Sequence, residues 1–289
     1  MPSVLIFGRG WIGNHFKEFY SNTSYISYLT EVNIADRLAV QVTLEEFKPD
    51  IVINAAGKTG RPNIDWCETH TQATFKSNVI GPSVLFDECL KRNIFFVHLS
   101  SGCIFNGPSS MSGGFVETDK PNPLSFYART KVWAEQLLQV ADQASNQKLL
   151  LIPRIRMPID GTPSKRNLIT KLVGYPQIIS VINSVTVIPS LLMATNALIR
   201  KRKTGIYHVA NPEPITHTEI LELYKEYVDP MHTYELIPEA DLLSRGLVKA
   251  HRSNCILDTS KLQKEGIGLF PTRDAIIMCL KNYAKNQVK

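Results

Sequence analysis

The chain has 289 residues, 44% of them hydrophobic and 20% charged, with a formal net charge of +6. That balance excludes a wholly disordered chain, and no run of about 18 apolar residues is present to span a membrane. Met1-Pro2-Ser3 leads straight into an apolar run without the pattern of a signal peptide, which points to the cytoplasm. Residues 4–8 read as a short apolar strand ending in glycine. Apolar positions at Trp11, Ile12, Phe16 and Phe19 predict a helix over 11–20. A second strand is expected over 25–30 and a short helix over 43–48. Pro49-Asp50 then punctuates the chain before a strand over 51–55. Residues 71–91 are helical in pattern, with a bend at Gly81-Pro82, and a strand follows over 95–100. Behind Pro121, Pro123 and an N-cap at Ser125, a helix covers 126–144. Residues 148–155 close the series as a strand.

Continuous apolar strands that alternate with helices predict an α/β fold, a Rossmann-like doubly wound parallel sheet with both faces covered. The sheet domain is expected over 1–156, with 185–210 returning to it through a strand at 205–210. Residues 157–184, loop-rich at their start, and 211–289, interrupted by Pro212, Pro214, Pro230, Pro238 and Pro271, form a smaller C-terminal substrate-binding lobe. The run Arg200-Lys201-Arg202-Lys203 follows an apolar periodic stretch and precedes Gly205. It reads as a helix C-terminus with cations on its negative end and a glycine at C′, not as a nucleic-acid surface. The five cysteines, at 67, 89, 103, 255 and 279, include no CxxC pair and read as reduced thiols. Cys67 and His70 have no second ligand pair at zinc spacing, so no metal site is expected.

Gly8-Arg9-Gly10-Trp11-Ile12-Gly13 fits GxGxxG at the first strand-to-helix turn. The first glycine permits the turn, the second lets backbone approach a pyrophosphate, and the third lets helix and strand pack closely. The helix N-terminus adds N–H donors and a favourable dipole. The NAD fingerprint wants an acidic residue about 20 residues further on, and Glu31 is the one nearby. Arg9 inside the loop suits a 2′-phosphate. The reading is therefore NADPH, with NADH as the alternative.

Tyr127 and Lys131 form YxxxK at the start of the helix 126–144, after a strand that ends in Ser100-Ser101. The i, i+4 spacing puts tyrosine and lysine on one helix face. A nearby ammonium is expected to lower the tyrosine pKa and so favour proton transfer to a carbonyl. Ser101 would hydrogen-bond the same carbonyl oxygen.

With the glycine loop, Asn54-Ala55-Ala56-Gly57, Ser101 and Tyr127/Lys131 together, the chain resembles the extended short-chain dehydrogenase/reductases along nearly its whole length. Its loop is one residue shorter than their usual GxxGxxG. A narrower resemblance is carried by residues 54–68, read as NAAGKTGRPNIDWCE, by Gly102-Cys103-Ile104-Phe105, and by the stretches 154–158, 166–171 and 252–254. These resemble the nucleotide-rhamnose synthase/epimerase-reductases of plants and giant viruses.

That resemblance implies conversion of UDP-4-keto-6-deoxy-glucose to UDP-L-rhamnose with NADPH, and a separate 4,6-dehydratase that makes the keto sugar. It also implies pairing of two copies through the helices near 71–91 and 126–144. Cys103 lies two residues past Ser101, the spacing at which the similar GDP-fucose synthases carry a cysteine base. Such a base needs a cationic neighbour to hold it as thiolate. Lys171 matches a lysine that serves as the opposing acid. The cofactor set is Gly8, Arg9, Gly10, Trp11, Ile12, Gly13, Asn54, Ala55, Ala56, Tyr127 and Lys131. Arg61, Asn78, Asn183 and Arg252 are expected on the substrate, Arg252 as a bidentate grip on the diphosphate. Two other readings stay open, a 4-reductase alone and an NADP-binding regulatory subunit.

Overall fold

The computed structural model describes residues 1–61, 63–109 and 113–287; Pro62, which falls within the 54–68 stretch, and the last two residues of the 211–289 segment lie outside that set. The first half runs β1 (Ser3–Phe7), α1 (Trp11–Ser21), β2 (Ile26–Thr30), α2 (Arg37–Phe47), β3 (Ile51–Asn54), α3 (Asp65–Thr69) and α4 (Thr71–Phe75). A π-helical turn over Lys76–Ile80 leads into α5 (Gly81–Leu90), followed by β4 (Phe95–His98), β5 (Ser100–Ser101), α6 (Phe126–Ser145) and β6 (Leu150–Ile155).

Then come β7 (Pro158–Ile159), α7 (Leu168–Val173), β8 (Gln177–Ile178), β9 (Ile182–Asn183), β10 (Thr186–Val187), α8 (Ile188–Arg200), β11 (Gly205–His208), β12 (Ile215–Thr216) and α9 (His217–Tyr227). The chain closes with β13 (Glu235–Leu236), α10 (Asp241–Ser244), α11 (Ser260–Lys264) and α12 (Thr272–Gln287).

The main sheet has the order β11-β6-β4-β3-β1-β2, with all pairs parallel and β5 extending the β4 edge against β6. It is the Rossmann-like doubly wound sheet expected from the alternation. β1 shows why its strands read as unbroken apolar runs. Val4 and Ile6 pack into one core with Phe16, Tyr20, Leu191 and Leu198. Leu5 and Phe7 pack into the opposite core with Leu44, Leu85 and Phe86. Both faces are covered, so every residue of the strand must be apolar. β1 is flanked by β2 on one side and β3 on the other. The chain reverses direction across the sheet there, and ligands of such sheets bind at the carboxyl ends of those strands.

A separate core of Ile159, Ile169, Leu172, Ile220, Leu221, Tyr224, Ile276 and Leu280 gathers residues from β7, α7, α9 and α12. Ile104, Phe105, Phe115, Cys255 and Leu257 form a smaller cluster that ties the segment after β5 to residues near 255. Leu262 and Ile267 pack into the core beneath β11.

Several element boundaries differ from the sequence reading for identifiable reasons. α2 begins at Arg37, six residues before the expected start, because Asp36 caps it by accepting from Ala39 N at 3.1 Å. The bend expected at Gly81-Pro82 is the π-helical turn just before it. Pro82 has no N–H, and its ring crowds the carbonyl four residues back. The strand expected over 95–100 breaks between β4 and β5 although both keep one register on β6. Opposite the break is Pro153, which has no N–H for the ladder. The C′ residue after α8 is Arg202, left-handed at φ 51°, and Gly205, with φ 88°, lies three residues further on. Arg202 lies 5.4 Å from the Phe95 ring and Lys203 pairs with Glu265 at 2.7 Å, so the basic run is partly spent on local contacts. No helix among the described residues is long and apolar enough to cross a membrane.

Beneath the site, Arg154 of β6 and Glu135 of α6 form a buried ion pair, with Arg154 Nη2 at 2.7 Å and Nε at 3.1 and 3.2 Å from the carboxylate. Removing one member of such a pair strands a buried charge. Arg154→Met is therefore expected to cost about 3–5 kcal/mol. Urea unfolding measures this, and a loss under about 1 kcal/mol would show that the pair does not hold α6 to the sheet.

His98, His208 and His217 are all held below the usual histidine range by burial, His208 down to about 3. The unfolded chain binds protons below about pH 6.5 that the folded chain refuses. Stability from these groups is therefore complete above about pH 6.5 and is lost as pH falls toward 3. Urea midpoints should drop from pH 7 to pH 5, and by less in His208→Gln. An equal drop in the variant would place the acid sensitivity elsewhere.

Candidate active site

The glycine loop is built by close backbone approach. Gly8 has φ +105°, and a Cβ there would meet Ala56 N at 2.6 Å. A Cβ on Gly13 would meet the Gly8 carbonyl at 1.9 Å. Gly10 differs, because a Cβ there would meet nothing within 4 Å. It is the N-cap of α1 and supplies no side-chain cap, so the first-turn N–H groups face open space. A backbone cradle at a helix N-terminus suits the pyrophosphate of a dinucleotide. Arg9 is exposed at its edge. Trp11 and Ile12 are half-buried against the sheet core, Trp11 edge-on to His15.

Ala55 N is tied to the Phe7 carbonyl at 2.9 Å. The Asn54 side chain accepts from Ala56 N at 3.1 Å and meets His98 Nδ1 at 3.0 Å. Asn54 thus shapes the loop after β3 from beneath and is fully buried.

The 20 residues of α6 carry the reacting face. Ser125 caps its start, accepting from Ala128 N at 3.2 Å. Tyr127, Lys131 and Glu135, at successive i, i+4 positions, are all buried against the sheet. Lys131 Nζ donates to the Leu99 carbonyl at 3.0 Å, just where the chain crosses from β4 to β5. Ser101 ends β5 and accepts from Cys103 N at 3.2 Å, opening a 3₁₀ turn that presents Cys103 half-buried.

Electrostatics here differ from the sequence expectation. Burial raises the Tyr127 phenol, with Cys103 adding to the rise, while Ser101 and Arg156 pull it down. Burial also lowers Lys131 to about 8. Burial leads, so Tyr127 is a neutral donor at neutral pH.

Lys171 lies in the last turn of α7, near enough to Cys103 to feel its charge. Its ammonium is lowered by burial, then by the Arg166 and Arg252 charges, and raised by Cys103. Arg166 in turn feels exposed Arg61 and donates from Nη1 to Thr59 Oγ1 and the Gly60 carbonyl, both at 2.8 Å. Lys171, Arg166, Arg252 and Arg61 thus form one cationic wall.

Three residues expected on substrate also have partners within the protein. Arg252 forks onto Asp65, with both N···O distances 2.8 Å, so its bidentate capacity is taken by a carboxylate of α3. Asn78 accepts from Lys58 N at 2.7 Å and donates to the Lys58 carbonyl at 2.9 Å and to Thr130 Oγ1 at 3.2 Å. Buried in the π-helical turn, it holds the loop after β3. Asn183 accepts from Arg156 Nη2 at 2.6 Å and Cys255 N at 3.0 Å, and donates to Asn254 Oδ1 at 3.0 Å.

The sequence reading missed the roles of Arg156 and Arg166. Arg156 Nη1 stands 2.9 Å from Cys103 Sγ. Both arginines lie in stretches that had been singled out, 154–158 and 166–171, but nothing in the sequence tells which side chain in a stretch turns inward. Among the described residues, no group of three or more His, Cys, Asp or Glu side chains is placed to hold a metal ion.

The sequence matches the family described as RmlD substrate binding domain over residues 2–285. It is 35% identical over 282 residues to a bifunctional dTDP-4-dehydrorhamnose 3,5-epimerase/dTDP-4-dehydrorhamnose reductase of Arabidopsis thaliana, covering 95% of this chain and 91% of that protein. It is 34% identical to a trifunctional UDP-glucose 4,6-dehydratase/UDP-4-keto-6-deoxy-D-glucose 3,5-epimerase/UDP-4-keto-L-rhamnose-reductase of the same plant. That match takes in 94% of this chain but only 41% of the relative. Among solved structures, the UDP-rhamnose synthase of Acanthamoeba polyphaga mimivirus superposes with a TM-score of 0.89 at 32% identity, over 97% of this chain and 99% of that one. The glycine cradle, the Ser101–Tyr127–Lys131 cluster and an almost end-to-end match agree, and the chain belongs to the RmlD substrate binding domain family.

Proposed function

We propose that this protein converts UDP-4-keto-6-deoxy-D-glucose to UDP-L-rhamnose, inverting C3 and C5 and then reducing the C4 ketone with NADPH. The observation that carries this reading is the half-buried Cys103, two residues past Ser101, with Lys171 and its cationic wall close by. A reductase alone has no need of a base at that place. The names of the plant and mimivirus relatives support the same reading. Arg61 and Arg166 of the cationic wall suit a diphosphate, and Arg9 beside the loop suits a 2′-phosphate. Gly8, Gly10 and Gly13, with the first-turn N–H groups of α1, would hold the dinucleotide, which supplies the hydride for C4. The lobe formed by 157–184 and 211–289 would hold the sugar nucleotide.

The chain's own groups then divide the work. The C4 ketone acidifies the protons on C3 and C5. Cys103 and Lys171 remove a proton from one face of the ring and return one to the other. Ser101 and Tyr127 hold the enolate oxygen between these steps. Tyr127 is held neutral by burial, so it can protonate O4 when C4 is reduced. Lys171 gives up a proton more readily than a free lysine because it is buried among cations. Asn78 and Asn183 act from behind, fixing the Lys58 loop and Arg156.

Incubation with the keto sugar and NADPH in D2O, read by proton NMR, tests this. The expected product is L-rhamnose with deuterium at C3 and C5 and protium at C4. Cys103→Ala should lose about 10²–10⁴ in deuterium uptake while reducing a pre-epimerised ketone within about tenfold of the native rate. Tyr127→Phe should lose about 10²–10⁴ in reduction. Deuterium uptake at the native rate without Cys103 would remove it as the base. A D-configured product without deuterium would leave a 4-reductase, and no turnover at all would favour a regulatory subunit.

The face that would pair two copies is apolar and open. Trp133, Leu137 and Val140 lie at helical spacing on α6 with 38%, 51% and 64% of their surface exposed, and Phe75 meets Trp133 edge-on at 6.0 Å. Gel filtration should show a dimer for the native chain and a monomer for Leu137→Asp. A native monomer would discard the pairing.

A further inference from the structure

Two arginines stand at the end of β6, Arg154 within it and Arg156 just past it, and they are neutralised differently. Arg154 is 3% exposed and forks onto the Glu135 carboxylate. Arg156 is 2% exposed, and among the described residues no salt bridge engages it. Its Nη2 donates to Asn183 Oδ1 at 2.6 Å and to the Ser253 carbonyl, both neutral acceptors, and its Nε has no partner. Its Nη1 donates to Cys103 Sγ at 2.9 Å. A buried cation without a counter-ion is costly. Tyr127, Cys255 and His217 also feel this guanidinium, but among the described residues the ionisable group it hydrogen-bonds is the Cys103 thiol.

We propose that Arg156 is the positioning cation of the epimerisation half-site, and that it holds Cys103 as a thiolate aimed into the cleft. This rests on the reading of Cys103 as the base. The backbone supports the assignment independently. Arg156 N donates to Thr186 Oγ1 at 2.9 Å, and Thr186 N donates to the Arg156 carbonyl at 2.6 Å, so the residue is clamped against β10. The next residue, Met157, has φ 41°, a left-handed conformation that side chains of this kind rarely adopt. The chain accepts that strain at the point where the guanidinium is turned toward the sulfur. Asn183 then fixes the far side of the guanidinium, and Asn254 fixes Asn183. The other groups that feel the sulfur are Tyr127, Lys131, Lys171 and Cys255. Among the described residues none of them hydrogen-bonds it, which leaves Arg156 as the contact partner.

Alkylation by iodoacetamide tests this without any substrate. Only the thiolate reacts, and Cys67, Cys89, Cys255 and Cys279 are buried, so native-state labelling reports Cys103. At pH 7, Arg156→Gln should label about tenfold more slowly than the native chain, and Arg156→Lys should recover to within about threefold. In turnover, Arg156→Gln should lose deuterium exchange through kcat, with KM little changed. Equal labelling rates in native and Arg156→Gln protein would overturn the proposal. So would failure of Arg156→Lys to recover, since that means packing and not charge.

If Arg156→Gln does not fold, the Cys103 peptide is compared in native and urea-unfolded wild-type chain. Faster labelling of the native, half-buried thiol supports Arg156, and slower labelling overturns it. Slow labelling of Arg156→Gln together with no deuterium exchange by the native enzyme would leave the pairing standing and sink the epimerase reading.

Discussion

The buried ion pair between Arg154 and Glu135 is the constraint on which the rest of the site depends. Glu135 is the third member of a stripe on α6 that begins with Tyr127 and continues through Lys131. A helix can present such a stripe to a sheet only if each polar head finds a partner, because an unpaired buried charge costs several kcal/mol. Arg154 satisfies Glu135, donates from Nη1 to the Glu117 carbonyl at 3.1 Å and reaches His208 Nε2 at 3.2 Å. His208 N in turn donates to Glu117 Oε1 at 2.9 Å. β6, β11, α6 and the segment before α6 are thereby locked into one register. Tyr127 sits two helical turns from Glu135 and inherits its position from that lock.

The same region shows how an imperfection in the sheet becomes useful. Pro153 interrupts the ladder between β4 and β6, and the chain crosses at Leu99 before pairing resumes at Ser100. Lys131 spends one of its donors on the Leu99 carbonyl exposed there. Ser101 emerges at the sheet's carboxyl end, and its side chain starts the 3₁₀ turn that carries Cys103. A proline that cannot donate, a lysine that takes up a carbonyl and a serine that caps a single turn together place Ser101 and Cys103 within one turn of chain, beside the Lys131 that bonds the Leu99 carbonyl.

Much of this was legible in the sequence, and the boundary of legibility is physical. The strands of the main sheet were readable because burial on both faces forces continuous apolar runs. Gly8 and Gly13 were readable because backbone approach leaves no room for a Cβ. Tyr127 and Lys131 were readable from spacing plus their place behind a strand. The commitments of Arg252, Asn78 and Asn183 were not. A polar side chain's partner is fixed by tertiary approach, and Asp65 is 187 residues from Arg252. The Tyr127 environment was misjudged for the same reason. Spacing shows that an ammonium is near, but only depth shows that burial leads. Arg156 stood in view beside Arg154, yet nothing in Arg-Ile-Arg says that one guanidinium meets a carboxylate and the other a thiol.

In the proposed reading, that difference between the two arginines decides what one pocket can do. Acid and base chemistry at one pH requires neighbouring groups whose environments push their protonation apart. Tyr127 is deep and faces a sulfur that raises it further, so it keeps its proton. Lys171 is buried among arginines, so its proton is loosely held. Cys103 faces a guanidinium with no carboxylate of its own. Tyr127 and Lys171 are pushed apart by what stands behind each of them, and the supports around the three groups come from the residues just after β6, those just before α7, and β9 rather than from the reactive residues themselves. Had Glu135 been able to reach Arg156 as well as Arg154, the thiol would face a neutralised cation and the division would collapse. The strained turn at Met157 and the clamp on Thr186 keep the two guanidinium groups on different partners, and the chemistry of the cleft is therefore set by the backbone at the end of one strand.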